Sequence, residues 1–526
     1  MSRKKKAAGA PKNKESAPDK SAQLQELLNS VNPEDLAAFL EAAGGATRGP
    51  EDAADLFDEF ISACVEGDMD DAEREDFSHS LIDALVDVRI QANGGDRAAR
   101  RELQEICELV EGAVEVEDLA VDDLMLLGRV MIEAELEAPD ALKQAVVAKL
   151  QDQPAVGAVT ALGAGLAELV EKSGLDLFGA HEQLRKTFTL FPSEDALRCL
   201  SEIASIGQPV MGGAIAGFAL HKDTALAQAA LGNLAARAQD KSRDRLLARM
   251  RPWLPPQRQE WVDAAMKTAP EIGGAAKTNV KLHKCYASVC DATGARTLVA
   301  AKKEGAKFQA ALFMLSEKGV ANVIVSDPMS KHELDLLLHG ASLAAHLSEV
   351  KLPLLLRILS LALAENLAAG TLPPFELAHA AETFDFPPLA PESSTPAEIA
   401  DRLLSEFPAT GAGQDALAAA DALAAASDYT QDWFEAGPDI DDIFAKVKGK
   451  KRRAEAVLKS YLPGRRDFWA RQCALTALSL HAENPVDPVW RALAVIGRNL
   501  AAGAPLDEIP LMRIIAEQTV ENYVAT

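Results

Sequence analysis

From residue 50 to the end, apolar side chains recur at the three- and four-residue spacing of helix faces, and one stretch, 283–327, switches to alternation. This confines most of the chain to helices that bury one stripe and wet the other. Leu56, Phe57, Phe60 and Ile61 form the first such face. Leu81, Leu85 and Val88 form the next, stopped by Gly94 and Gly95, and Leu103, Ile106, Leu109, Val110 and Leu124, Leu127, Val130, Met131 continue the pattern. At the far end Trp469, Leu475, Leu478, Trp490, Leu493, Ile496, Ile514, Ile515 and Val520 keep the same period, which predicts two helix pairs over 467–523.

The alternating stretch contains four short runs, 284–290, 296–301, 307–315 and 320–326. Turns containing Gly294, Gly305 and Gly319 separate them. This is the signature of an antiparallel meander of four strands. So small a sheet is not stable alone, so one face is expected to pack on the flanking helices.

Between 181 and 269 helical runs of 10–16 residues alternate with breaks at Pro192, 207–209, 221–223, 240–242 and 252–256, and 225–237 is dense in alanine. Helix, short turn, helix at a period near forty residues resembles HEAT-like repeats, over about 180–270 and 330–525. The resemblance rests on helix length, alanine content and turn spacing. It implies an α-solenoid, mostly α with the small meander inserted near its middle, and a role as scaffold and binding surface.

The organisation expected is therefore a disordered basic tail at 1–22, an acidic helical region at 23–180, and a HEAT-like region at 181–280. The meander follows at 281–329, then a helical region at 330–383, a Pro-rich linker at 384–396, and C-terminal helical repeats at 397–526. Helices are expected within these at 23–44, 397–407 and 415–426.

Charge is uneven. The formal net charge is −25, from 54 basic and 79 acidic residues. Residues 51–140 carry 28 acidic and 6 basic side chains. Residues 1–20 carry a net +5, and residues 446–471 a net +8. The acidic block reads first as solvated helix faces. An acidic chain repels nucleic acid at long range, so a nucleic-acid reading rests on the basic islands. The start lacks the apolar core of a secretory signal. Six scattered cysteines do not make a disulfide framework, and the expected compartment is a reducing cytoplasm. No uninterrupted apolar run of about 18 residues occurs, so no membrane span is expected. The nearest run, 352–367, is broken by Pro353, Arg357, Ser360, Glu365 and Asn366 and reads as a buried core helix.

Motifs for chemistry are sparse. The phosphate cradle G-x-x-x-x-G-K-[ST], the G-x-S-x-G elbow and H-E-x-x-H are all missing from the sequence, so no cofactor is predicted. His332, His339 and His346 recur every seven residues on one helix face, about 10.5 Å apart along the axis, whereas metal-binding histidines on one helix sit at i, i+4. Asp335 and His339 have that spacing, which makes His332, Asp335 and His339 the metal candidates; a wet polar stripe is the plainer reading. An enzyme site between the meander and the next helix would draw on Asp291, Asp327, His332 and His339.

The strongest lead is the basic island, whose candidate anion- or nucleic-acid-binding residues are Lys450, Lys451, Arg452, Arg453, Arg465 and Arg466. Basic residues at a helix start oppose its dipole, so stability alone does not place them there. Tyr461, Phe468 and Trp469 are interleaved with them, and basic and aromatic groups together hold anions. The resulting expectation is a non-catalytic scaffold or adaptor that binds a protein partner. The alternatives are a nucleic-acid-binding solenoid using 446–471 and the enzyme just described.

Overall fold

The computed structural model describes residues 51–66, 71–93, 97–116, 119–134, 136–152, 174–206, 208–237, 240–266, 282–406, 429–430, 432–486 and 488–523, with positions 163, 167, 168, 170 and 172 besides. The tail at 1–22 and the helices expected at 23–44 and 415–426 lie outside the described residues. The chain is mostly helical with one small antiparallel sheet in its middle, and Ala53–Thr526 pack as one unit.

Five helices carry the acidic block: α1 (Glu51–Glu66), α2 (Asp71–Asn93), α3 (Arg97–Val116), α4 (Val121–Glu133) and α5 (Asp140–Asp152). Their apolar stripes are buried; Ala99, Ile106, Val110 and Ala113 form the one on α3. Among the described carboxylates of this block, Glu102 and Asp123 are buried. Glu102 accepts from the Ala53 amide at 3.2 Å, and Asp123 pairs with Arg74 at 3.1 Å.

The next six helices are α6 (Leu177–Thr189), α7 (Ser193–Ser205), α8 (Pro209–Gly217), α9 (Thr224–Ala236), α10 (Lys241–Met250) and α11 (Pro256–Met266). They pack in two alternating layers, α6–α8–α10 and α7–α9–α11. The turns are chemically explicit. Asp176, Asp223 and Asp240 each accept two backbone N–H groups at the starts of α6, α9 and α10, satisfying donors that a helix leaves open. At the α6–α8 crossing His181 is buried, with Nδ1 2.8 Å from the Ala214 carbonyl oxygen and its ring packed on Phe218 and Phe375.

The four expected strands form as β1 (Leu282–Ser288), β2 (Arg296–Glu304), β3 (Lys307–Ser316) and β4 (Gly319–Val325). A fifth, β5 (Leu347–Val350), pairs antiparallel with β1, giving the order β4-β3-β2-β1-β5. The four-strand meander expected at 281–329 is thereby corrected to a five-stranded sheet, whose last strand lies inside the helical region expected at 330–383. A four-residue strand between two helices carries too little periodicity to announce itself, and its pairing partner lies some sixty residues upstream.

Helix α12 (Lys331–Ala344) covers one face of the sheet, where Leu334 packs with Ala301, Phe308 and Ala310. It starts on a capping box between Ser330 and Glu333. Helix α13 (Leu352–Ala369) packs against β1 and β4. This helix is long and apolar enough, by length and composition alone, to cross a membrane. Here it carries buried Asn366, whose Oδ1 accepts from the Val320 amide at 2.9 Å and whose Nδ2 donates to the Lys318 carbonyl at 3.0 Å. A Cβ on Gly319 would lie 2.4 Å from the Ala362 carbonyl oxygen, and its φ is +107°, so only glycine fits this turn. The Val323 amide donates to Asn322 Oδ1, so side chains take two amides of edge strand β4.

Helix α14 (Glu376–Thr383) leads into the Pro-rich run 384–396, which is seated in the protein by Phe384, Phe386 and Leu389, all buried. Trp253 Nε1 donates to the Leu389 carbonyl and Arg249 to that of Phe386, both at 2.8 Å. The C-terminal helices are α15 (Pro396–Glu406), α16 (Pro438–Lys446), α17 (Lys450–Ala456), α18 (Arg466–Glu483), α19 (Val489–Ala501) and α20 (Pro510–Glu521). Helices α18 and α19 approach closely at Gly497, where a Cβ would lie 2.9 Å from the Ala470 carbonyl oxygen.

Candidate functional site

The basic island begins where α16 ends. Gly449, at φ +87°, turns the chain into α17, which continues through a π-helical turn at Val457–Tyr461 and a tight turn at Leu462–Arg465 into α18. Arg453 points back at the end of α16. Its Nε and Nη2 donate to the carbonyls of Val447 and Phe444, both at 3.0 Å, and its guanidinium lies 4.7 Å from the centre of the Phe444 ring. Arg466 does the same for α19, donating to the carbonyls of Ala504 at 2.7 Å and Leu500 at 3.3 Å. Both arginines satisfy carbonyls that helix ends leave open, where positive charge is also favourable.

Arg465 meets a carboxylate. Its Nε donates to Glu435 Oε1 at 3.1 Å, its guanidinium lies 3.7 Å from the centre of the Phe468 ring, and its Nη1 lies 3.7 Å from Glu317 Oε2. Glu435 is 7% exposed and also accepts from Trp469 Nε1 at 2.7 Å and the Tyr461 hydroxyl at 3.3 Å. Burial, then the Glu435 charge, pushes the Tyr461 phenol up to about 12. The interleaved basic and aromatic residues therefore do hold an anion, and it is the chain's own Glu435. Arg471 pairs with Glu365 and donates to the Ser394 carbonyl at 3.1 Å. None of these carboxylates comes from the acidic block at 51–140.

The exposed cations of the island are Lys446, Lys448, Lys450, Lys451, Arg452 and Lys459, and of these Lys446 and Lys459 lie 4.0 and 3.3 Å from Asp442 and Glu455. Lys450 and Lys451 border a groove of about 380 Å³ between α17 and α20. Its floor is Ala454, Leu458, Ala516 and Val520. Arg513, Glu517 and Glu521, at i, i+4 and i+8 on α20, line the opposite wall, and Glu455 stands beside the lysines. The groove thus has an apolar floor, three cations and three carboxylates.

The structure does not bring the enzyme candidates together. Asp291 closes the β1–β2 turn, accepting from the amides of Thr293 and Ala295, both at 2.8 Å. Asp327 follows β4 at the opposite end of the sheet, because Arg296 of β2 pairs with Leu315 while Val325 of β4 pairs with Ala311. Nine-residue β2 separates those ends by roughly 27 Å. His332, Asp335 and His339 are exposed on α12, and Asp335 pairs with Lys331 at 2.5 Å. Among the described residues no group of three or more His, Cys, Asp or Glu is placed to hold a metal ion. Sequence reasoning missed Glu435 and the α20 wall. The wall did leave a signal, in the spacing of Arg513, Glu517 and Glu521.

The groove lies within a stretch that is similar to a known family model. Residues 397–524 match the family model described as the Y4lR C-terminal helical domain, and residues 192–273 match the Y4lR second domain. The chain is 26% identical over 246 residues to the uncharacterized protein y4lR of Sinorhizobium fredii, covering 45% of this chain. The match spans about half the length of that relative, 46%. No solved structure matches the chain.

Proposed function

We propose that this protein is a non-catalytic scaffold or adaptor, and that the groove between α17 and α20 receives a short amphipathic segment of a protein partner. The composition of the groove carries this reading. An apolar floor rewards apolar side chains, while a rim of Lys450, Lys451 and Arg513 against Glu455, Glu517 and Glu521 pairs with mixed charge. A nucleic-acid backbone offers neither apolar side chains nor positive charge, and three rim carboxylates repel it. The arginines that would grip phosphates, Arg453, Arg465 and Arg466, are turned inward onto carbonyls and Glu435. The HEAT-like reading is supported by the alternating layers of α6–α11 joined by short Asp-capped turns. Cys107, Cys199, Cys285, Cys290 and Cys473 are free thiols, in keeping with a cytoplasmic setting.

The test is partner capture by the tagged chain after nuclease treatment, with a Leu458→Asp variant run in parallel and any captured protein retested in pure form. Direct binding that survives nuclease and is lost in the variant supports the reading. Binding that disappears with nuclease, or that ignores Leu458→Asp, overturns it and returns weight to Lys448, Lys450, Lys451 and Arg452 as nucleic-acid contacts.

A further inference from the structure

The order of charges along the α17–α20 groove restricts what can lie in it. We propose that the groove selects a partner helix whose apolar stripe is flanked by carboxylates in its two outer turns and by lysine or arginine in the turn between them. This rests on the reading of the groove as a docking site for a protein segment.

Helices α17 and α20 run antiparallel. Tyr523, just past the end of α20, lies against Arg453 and Phe444 where α17 starts. At the other end the turn at Val457–Tyr461 meets Leu506–Glu508, just ahead of α20. Side chains four residues apart on either helix are separated by about 6 Å along its axis. The rim therefore falls into three tiers. Lys450 and Lys451 stand across from Glu521 at one end. Glu455 stands across from Glu517 in the middle. Leu458 and Arg513 share the other end. The formal charge of the tiers is +1, −2 and +1. The complement is acid, base, acid, one helical turn apart.

These charges are available to a partner. All six charged side chains of the rim are exposed. Among the described residues, Lys450, Lys451, Arg513, Glu517 and Glu521 make no ion pair within the chain. Arg513 and Glu517 are spaced at i, i+4, but with the base first, the order that favours pairing less. Glu455 holds Lys459 at 3.3 Å, which leaves Glu517 as the open acid of the middle tier. Exposed charges of this kind decide which partner and register are accepted more than they raise affinity.

The walls also decide the form of the partner. Both are helices that spend their backbone hydrogen bonds internally. A strand laid between them would find no ladder to join, whereas a helix satisfies its own amides and carbonyls. A helix also brings apolar side chains down onto Ala454, Leu458, Ala516 and Val520 while its two edges meet the two walls.

The test is calorimetric titration of the full chain with two capped synthetic helical peptides of identical composition and identical leucine stripe. In the first, glutamates flank the stripe in the outer turns and lysines in the middle turn. In the second, the lysines are moved to one outer turn and glutamates take the middle. The chain carrying Glu455→Lys and Glu517→Lys, and the Leu458→Asp chain, are titrated in parallel. The expected result is that the wild type binds the first peptide roughly fivefold or more tighter than the second, the sum of a few exposed ion pairs. The charge-reversed middle tier should abolish or invert that preference, and Leu458→Asp should weaken both peptides. Equal affinity for the two peptides, a preference that survives the reversed tier, or binding of neither peptide would overturn the proposal. Equal affinities that are both lost in Leu458→Asp would overturn the charge order alone and leave the groove as a docking site.

Discussion

Replacing Glu435 by alanine tests whether the arginines of the basic island serve the fold. The substitution strands the indole N–H of Trp469, which is fully buried, at a cost of about 1–3 kcal/mol. It also removes the charged hydrogen bond to Arg465. That side chain is 30% exposed and keeps Glu317 nearby, so solvent recovers much of the loss and about 1 kcal/mol remains. The 3.3 Å bond from half-buried Tyr461 adds little. The sum is about 3 kcal/mol. An unfolding entropy of about 2.1 cal/mol/K per residue over Ala53–Thr526 gives roughly 1 kcal/mol/K, so the melting temperature should fall by about 3 °C if the unit melts as one, and by more if the C-terminal helices melt alone. Calorimetry reads the global shift, and tryptophan fluorescence reads the site itself, since Trp433 and Trp469 lie 5.3 Å apart there. Arg465→Met with Glu435→Ala should be less damaging than the sum of the singles, because they share a contact. A shift below about 1 °C, or strict additivity, would refute the reasoning.

Other consequences follow from single residues. His181 takes a proton near 6.5 in the unfolded chain but only at about 4 in the fold, chiefly through burial, so stability is flat above pH 6.5 and falls by about 3 kcal/mol between there and pH 4. His181→Gln should flatten that slope in denaturant titrations at a series of pH values. Gly319→Ala sets a Cβ 2.4 Å from the Ala362 carbonyl in a positive-φ turn and should cost about 3 kcal/mol or more, seen as loss of soluble expression or a lowered unfolding midpoint. Lys450→Glu combined with Lys451→Glu touches exposed side chains and should move unfolding by no more than about 0.5 kcal/mol per site while changing partner affinity, as measured by calorimetric titration.

Local chemistry was legible in the sequence. Asp223 and Asp240 marked their turns because an N-cap acts over two or three residues, and Gly294, Gly305 and Gly319 marked the hairpins. What sequence could not show was contact at a distance. Arg465 meets Glu435 thirty residues away, and Arg466 caps a helix end 38 residues away, so both read as free surface charge until the fold assembled their partners. The same holds for β5, which takes its identity from β1, and for the α17–α20 groove, whose walls are some sixty residues apart. Asp291 and Asp327 are parted for a related reason: the three strands between them in sequence set them at opposite ends of one sheet.

The most direct test of the central claim is the affinity of a purified partner, captured after nuclease treatment, for the wild-type chain, for Leu458→Asp and for Arg513→Glu. The account predicts nuclease-resistant binding to the wild type and a loss of tenfold or more in each variant. Equal affinity for all three, or capture that vanishes with nuclease, would contradict it.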